Sequence, residues 1–222
     1  MTEIVLVRHG ETVWAHENRY AGVSDIPLTD TGRRQAELLA AWAADAGLAA
    51  VYASPLRRAV GTAAMSAERA GLDVRVDPRL RELDFGEGEG KTRGEMAEHF
   101  PDALDLFHSD PVAHHLPAGE PPSAAAERFR DALRDAEAAH PDGRVLVVAH
   151  TTVIRLTLCL LLGIQLREYR RVFPFLHNCA LTEIRLDDDQ VSLLQLNSRL
   201  EDVAHDDPVT SVVADLTDEE TR

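Results

Sequence analysis

Lysine is nearly absent from this 222-residue chain: Lys91 is the only one, and arginine supplies the rest of the 23 basic residues against 38 acids, a formal charge of −15. A composition so short of positive charge lacks the basic footprint that double-stranded nucleic acid or an anionic membrane surface requires, so both are excluded as partners. A small anion held by a few arginines is not excluded, because the guanidinium fork suits phosphate. Cysteine is equally scarce. With only Cys159 and Cys179 there is neither a disulfide framework nor a cysteine zinc site, and both are expected to fill core. Long apolar runs are missing too. The most apolar stretch, Val153 to Ile164, is broken by Arg155 and is far short of the roughly 20 residues of a membrane span, so it reads as a buried helix. Met1 to Gly10 passes through Glu3 into a short apolar run ending in Arg8 and His9, which is not a secretory signal; a cytoplasmic location is expected.

What is present is an alternation of strands and helices. Ile4 to Val7 is a continuous apolar run, as in a strand covered on both faces, and it ends at Arg8-His9-Gly10. Asp30-Thr31-Gly32 starts a helix over Arg33 to Ala46, with Ala36, Leu39, Ala43 and Ala46 on one face and Gly47 as the stop. Ala49 to Ala53 is a strand, after which Ser54-Pro55 supplies a hydroxyl N-cap and a proline for a helix reaching about Ala70. Val74 to Val76 is a further strand, Leu80 to Gly90 an irregular loop of glycines and acids, and Ala124 to Ala139 a helix. Val145 to Ala149 is the most strand-like segment and leads through His150 into the apolar helix Thr152 to Leu162. Thr182 to Leu186 and Val191 to Leu196 bracket Asp187-Asp188-Asp189 as a closing hairpin. The expected architecture is an α/β fold, a mainly parallel sheet with helices on both faces, whose ligands bind beyond the carboxyl ends of the strands. Residues 1–200 form one domain, with a cap inserted at about 91–123 where histidines and prolines gather. Residues 201–222, with eight acids and one arginine, form an acidic, flexible tail.

The chemistry gathers at the strand ends. Arg8 and His9 follow one buried strand, His150 follows another, and Arg58 lies in the first turn of the helix after Ser54. With the amides at the start of the helix beginning Thr151-Thr152, these make a dianion site whose natural occupant is a phosphoryl group. One strand-end histidine alone is ordinary; several such features at equivalent strand ends point to chemistry. Arg57 lies about 100° round the helix from Arg58 and is expected at the surface. Glu87 and Glu89 are expected to decorate their loop, and Glu11 and Thr12 to orient the nucleophile or form its turn. His108, His114 and His115 are candidates for substrate contact or a metal cluster, but no recognisable ligand spacing joins them, so neither a metal nor another cofactor is expected.

These residues sit in stretches that resemble the histidine phosphatase, or phosphoglycerate mutase-like, superfamily. The stretches are LVRHGET (Leu6 to Thr12), NRYAGVSDIPLTDTGRRQA (Asn18 to Ala36), SPLRRAVGTA (Ser54 to Ala63), LRELDFGEGEG (Leu80 to Gly90) and VLVVAHTTVIR (Val145 to Arg155), in family order. The resemblance implies a three-layer α/β/α sandwich and a phosphohistidine at His9. It also implies that Arg8, Arg58 and His150 hold the phosphoryl group, that Glu82 is the proton donor, and that Arg19 and Gly22 lie where the first loop closes over substrate. Elementary chemistry agrees. A neutral imidazole can attack phosphorus and then leave when water attacks, splitting one displacement into two. Two bidentate arginines and a cationic His150 can take the charge-stabilising role a metal plays elsewhere. A nearby dianion would raise the pKa of Glu82 toward the protonated form that a general acid needs.

Departures from the family pattern border the substrate: Ala15 replaces an asparagine, Thr151 a glycine, Gly88 a tryptophan and Pro121 a serine. The reading is a metal-independent phosphatase acting on a small phosphorylated metabolite, with a homodimer left open. The alternatives are a cofactor-dependent phosphoglycerate mutase and a non-catalytic domain that binds a phospho-ligand. Between Glu95 and Glu127 there is no lysine or arginine, so the cap itself is expected to bind a carboxylate or second phosphate poorly, which favours hydrolysis over isomerisation.

Overall fold

A computed structural model describes residues 1–187 and 190–200. The acidic tail expected at 201–222 lies outside the described residues, as do Asp188 and Asp189 of the hairpin turn. In chain order the main elements begin with β1 (Thr2–Arg8), α1 (Asp30–Asp45), β2 (Ala50–Ala53), α2 (Arg57–Ala70) and β3 (Val74–Val76). They continue with α3 (Arg93–His99), α4 (Pro101–Ser109), α5 (Pro122–Ala139), β4 (Arg144–Ala149), α6 (Thr151–Leu161), α7 (Tyr169–Val172), β5 (Leu181–Asp187) and β6 (Gln190–Ser198).

The strands form one sheet in the order β3-β2-β4-β1-β5-β6. The first four run parallel, and β5 and β6 close the sheet antiparallel. Because β1 and β4 are central and parallel, in register from Glu3 opposite Arg144 to Arg8 opposite Ala149, they end together. His9 and His150 therefore leave the sheet side by side. Alternate residues of β1 feed two cores: Ile4 and Leu6 face one with α5 and α6, while Val5 and Val7 face the other with α1 and α2. This is the three-layer sandwich with a mainly parallel sheet.

Local capping differs from the sequence expectation in two places. The N-cap of α1 is Thr29, whose hydroxyl accepts from Gly32 N, one residue ahead of the expected Asp30. Ser54 does not cap α2, which starts at Arg57 after an extended Leu56. The loop from Leu80 to Gly90 contains a short 3-10 turn at Gly86–Gly88. The segment expected as a cap contains two helices. It carries α3, closed by a capping box between Thr92 and Glu95, and α4, whose Phe107 is buried with Met96 and Leu116 in the core shared with α5 and α6. Cys159 and Cys179 are buried and unpaired, and burial pushes their thiols up to about 11 and about 12.

Candidate active site

At the end of β1, His9 is held by its backbone on both sides: its N–H donates to Ala149 O at 3.0 Å and its carbonyl accepts from Asn178 Nδ2 at 2.7 Å. Gly10 follows because the chain passes so close to Gly32 O, at the start of α1, that a Cβ would collide with it. The Gly10 amide donates to Thr62 Oγ1 of α2 at 3.1 Å, tying the turn to the helix that carries Arg58. His9 Nδ1 lies 2.6 Å from Gly10 O. A carbonyl only accepts, so Nδ1 bears the proton and Nε2 presents a lone pair.

That lone pair meets Arg58. Arg58 Nε donates to His9 Nε2 at 3.2 Å and to His150 Nδ1 at 3.3 Å, and the two imidazole centroids are 5.0 Å apart. Since Nδ1 of His150 accepts, its Nε2 carries the proton and donates to Ser54 Oγ at 2.7 Å. Both imidazoles are thus neutral in this arrangement. Burial first, and then the positive charge of Arg58, lower both well below their ordinary 6.5. A proton on His150 would face the buried Arg58 guanidinium, so the cationic form expected of this ring belongs to the step in which a phosphoryl dianion lies beside it. The rest of the Arg58 fork is also engaged, Nη1 with Ser24 O at 2.6 Å and Nη2 with Ala21 O and Gly22 O at 3.1 and 2.8 Å. Arg8 is freer. It donates Nη1 to Leu176 O at 2.8 Å, while its buried Nε has no partner.

Glu82 is 3% exposed and sits at the N-terminus of α6. Its Oε1 accepts from Leu83 N and Val153 N at 2.9 and 2.8 Å, and its Oε2 from Thr152 N at 2.9 Å. The helix amides expected to face the dianion are therefore largely taken by this carboxyl. Burial raises its pKa and outweighs the three N–H bonds and Arg58, which pull the other way. Oε1 already has two donors, so a proton belongs on Oε2. Arg128 of α5 fixes the backbone beneath it, donating to the carbonyls of Arg79, Arg81 and Glu82 while paired with Glu120.

The remaining candidates divide. Thr151 opens α6 and is half-buried beside this cluster. Gly22 contributes its carbonyl to Arg58. Arg19 points elsewhere, pairing with Glu17 and Glu95 at 2.6 and 2.7 Å and donating to Gly90 O. Arg57 is exposed and pairs with Asp25. Glu11 accepts from the Thr29 hydroxyl and so serves the start of α1, and Thr12 bridges to Leu28. Among the described residues no three or more His, Cys, Asp and Glu are grouped to hold a metal ion, and His108, His114 and His115 are not so gathered. No helix among them is long and apolar enough to cross a membrane.

Glu89 overturns the expectation of a surface ornament. Its Oε1 accepts from Gly22 N, Val23 N and Phe85 N at 2.8, 3.1 and 3.3 Å, and its Oε2 from Ser24 N and Ser24 Oγ at 3.2 and 2.7 Å. The loop it gathers is the one whose carbonyls grip Arg58. Ser54, Thr62, Arg128 and Asn178 were likewise missed as supports of the site. Only Ser54 carried a local signal, its place directly at the end of a strand.

The ends of two central strands that gather arginines without carboxylate partners around an imidazole lone pair define a protein that handles anions. The chain belongs to the histidine phosphatase superfamily, branch 1, whose family model matches residues 4–199. It is 31% identical over 198 residues to Phosphoserine phosphatase 1 of Hydrogenobacter thermophilus, covering 89% of this chain and 92% of that one. It is 34% identical over 184 residues to the "Probable phosphoglycerate mutase GpmB" of Cronobacter sakazakii, covering 83% and 85%. The solved structure of a mycobacterial glucosyl-3-phosphoglycerate phosphatase with VO3 is similar at a TM-score of 0.80 and 28% identity, over 88% of this chain and 99% of that one.

Proposed function

We propose that this protein is a phosphatase that hydrolyses a small phosphomonoester through a phosphohistidine at His9. The observation that carries the mechanism is the tautomer of His9: Nδ1–H is tied to Gly10 O, which leaves Nε2 as a lone pair aimed at the guanidinium of Arg58. An arriving phosphoryl dianion replaces the imidazoles as partner of Arg58 Nε and is met by the unpartnered Nε of Arg8. His9 Nε2 forms a bond to phosphorus as the bond to the ester oxygen breaks, and the proton on Glu82 Oε2 passes to that oxygen, releasing the alcohol. Glu82, now a carboxylate, takes a proton from water. The hydroxyl oxygen bonds to phosphorus, the phosphorus–nitrogen bond breaks, and inorganic phosphate leaves with His9 neutral again. His150, beside the phosphoryl group and donating to Ser54, becomes a cation only when the dianion favours it.

The named relatives support this reading, since phosphatases appear among both the sequence and the structural neighbours. The mutase name of another relative sustains a second reading, in which the phosphohistidine returns its group to the bound alcohol. One experiment separates them. Labelled ester mixed rapidly with enzyme and quenched in base should give an acid-labile label on His9, followed by free phosphate. Full activity in His9→Ala would defeat the mechanism, and isomerisation of 3-phosphoglycerate outpacing phosphate release from every ester tested would establish the mutase.

A further inference from the structure

Among the described residues, the buried and half-buried arginines fall into two sets. Most pair with a carboxylate at 3.4 Å or less, such as Arg79 with Asp77, Arg128 with Glu120 and Arg185 with Glu3. Arg8, Arg58, Arg155 and Arg170 have no such partner, in a chain with 38 acids to 23 basic residues. Arg8 and Arg58 are accounted for by the phosphoryl group. Arg155 and Arg170 are not.

Arg155 is 9% exposed, makes no hydrogen bond to any described residue, and buries its Nε without a partner. An unsatisfied buried guanidinium is costly, and a core position would serve better with an aliphatic side chain. It lies three residues beyond Thr152, whose N–H holds Glu82 Oε2, so the two are neighbours on one face of α6. Helical side chains lean toward the N-terminus, which here is the mouth of the site. Its guanidinium rests 4.9 Å from the Tyr169 ring centroid. Arg170 of α7 lies against the same ring at 5.5 Å, donates Nε to Tyr169 Oη at 3.0 Å, and covers Phe107 of α4 at 4.6 Å. Two guanidiniums thus share one aromatic ring, next to the proton donor and under the cap. The cap has no lysine or arginine of its own in 95–127, and α7 brings an arginine to it.

We propose that Arg155 and Arg170 form a second oxyanion subsite, which takes a carboxylate or second phosphate carried by the alcohol portion of the substrate. The proposal rests on the phosphatase reading for the placement of the leaving group: Glu82 protonates the leaving oxygen, so groups beyond that oxygen lie on the Glu82 side, where Arg155 is. A second oxyanion bound there gives the buried Arg155 the hydrogen-bond partner it lacks and relieves the repulsion between the two arginines.

The test uses a matched pair, 3-phosphoglycerate and glycerol 3-phosphate, which differ by a carboxylate in place of a hydroxymethyl group, with glycerol 1,3-bisphosphate as the arm that detects a second phosphate. Both kcat/KM in the wild-type protein and calorimetric binding to His9→Ala are measured. A preference of at least tenfold for one of the dianionic-plus-anionic ligands over glycerol 3-phosphate is expected, falling at least fivefold in Arg155→Gln and in Arg170→Gln and largely kept in Arg155→Lys. Which ligand shows it tells carboxylate from phosphate. Should Arg155→Gln fail to fold, the half-buried Arg170 carries the test. No preference in either measurement, or one that both substitutions leave intact, overturns the subsite. Phosphate release from all three without preference would leave the phosphatase standing and the subsite refuted. A binding preference with no phosphate release from any ester would do the reverse.

Discussion

Arg58 Nε donates to the Nε2 atom of His9 at 3.2 Å, the atom that attacks phosphorus in the proposed reaction. In that reaction the contact adds to burial in holding Nε2 unprotonated and sets it beside the donor that a phosphoryl oxygen would take up. Lysine would keep the charge but not the fork, whose other nitrogens hold the carbonyls of Ala21, Gly22 and Ser24. Arg58→Lys should therefore lower kcat/KM by about 10² or more, the scale of losing a preorganised donor. Steady-state kinetics on a nitrophenyl ester reads this directly, and a change under about threefold would mean that charge alone matters.

Glu82→Gln tests proton donation and the helix start together. The amide oxygen can keep Leu83 N and Val153 N, but its NH2 group must then face the N–H of Thr152. That leaves a donor unpaired and should cost about 1–3 kcal/mol in denaturant melts. Turnover of alkyl phosphates, whose leaving group needs the proton, should fall about 10² or more, while a nitrophenyl ester falls far less. Equal losses on both would assign Glu82 to structure only.

Much of this site is legible in the chain because strand ends are legible. An apolar run broken by Arg8-His9-Gly10, and another broken by His150, place those side chains at the mouth of a parallel sheet through residue pattern alone. Glu89 was not legible, since its five donors come largely from a loop some 65 residues earlier and nothing local says that the loop returns. Arg155 reads in sequence as an interruption of an apolar helix; its significance is a missing partner, which only three dimensions reveal. Ser54 has the composition of an N-cap, yet a better use of its hydroxyl, holding His150, prevails over capping α2.

Glu89 should act as a positioning residue through Arg58. Glu89→Gln replaces an acceptor of Ser24 N and Ser24 Oγ by an NH2 group, loosening the loop whose carbonyls orient the guanidinium. The expected outcome is a rise of about tenfold or more in KM and in the dissociation constant for inorganic phosphate, with the dependence on leaving group unchanged because Glu82 is untouched. A purely structural role would lower the melting temperature and leave phosphate affinity of the folded protein as in the wild type.

Acid pH should separate stability from chemistry. His9 and His150 are held well below 6.5 in the folded protein, first by burial and then by Arg58. The unfolded chain takes up their protons as pH falls through about 6.5 while the folded protein refuses them, so their contribution to stability is complete above that pH and declines below it. Glu82 has the opposite sign: its folded pKa is raised, so the folded protein holds a proton the unfolded chain has shed, and its contribution declines as pH rises from about 4.5 toward the raised value. Between pH 5 and 6, denaturant melts of the wild type should show a steeper fall in stability toward acid than His150→Asn, by the uptake of one proton. Activity follows the folded values instead. After correction for ionisation of the ester, kcat/KM should persist below pH 6.5, because the nucleophile stays neutral there, and should fall on the alkaline side as Glu82 loses its proton. Glu82→Gln should abolish that alkaline limb. A kcat/KM that drops on the acid side at an ordinary histidine pKa would show that His9 is not held neutral by its surroundings.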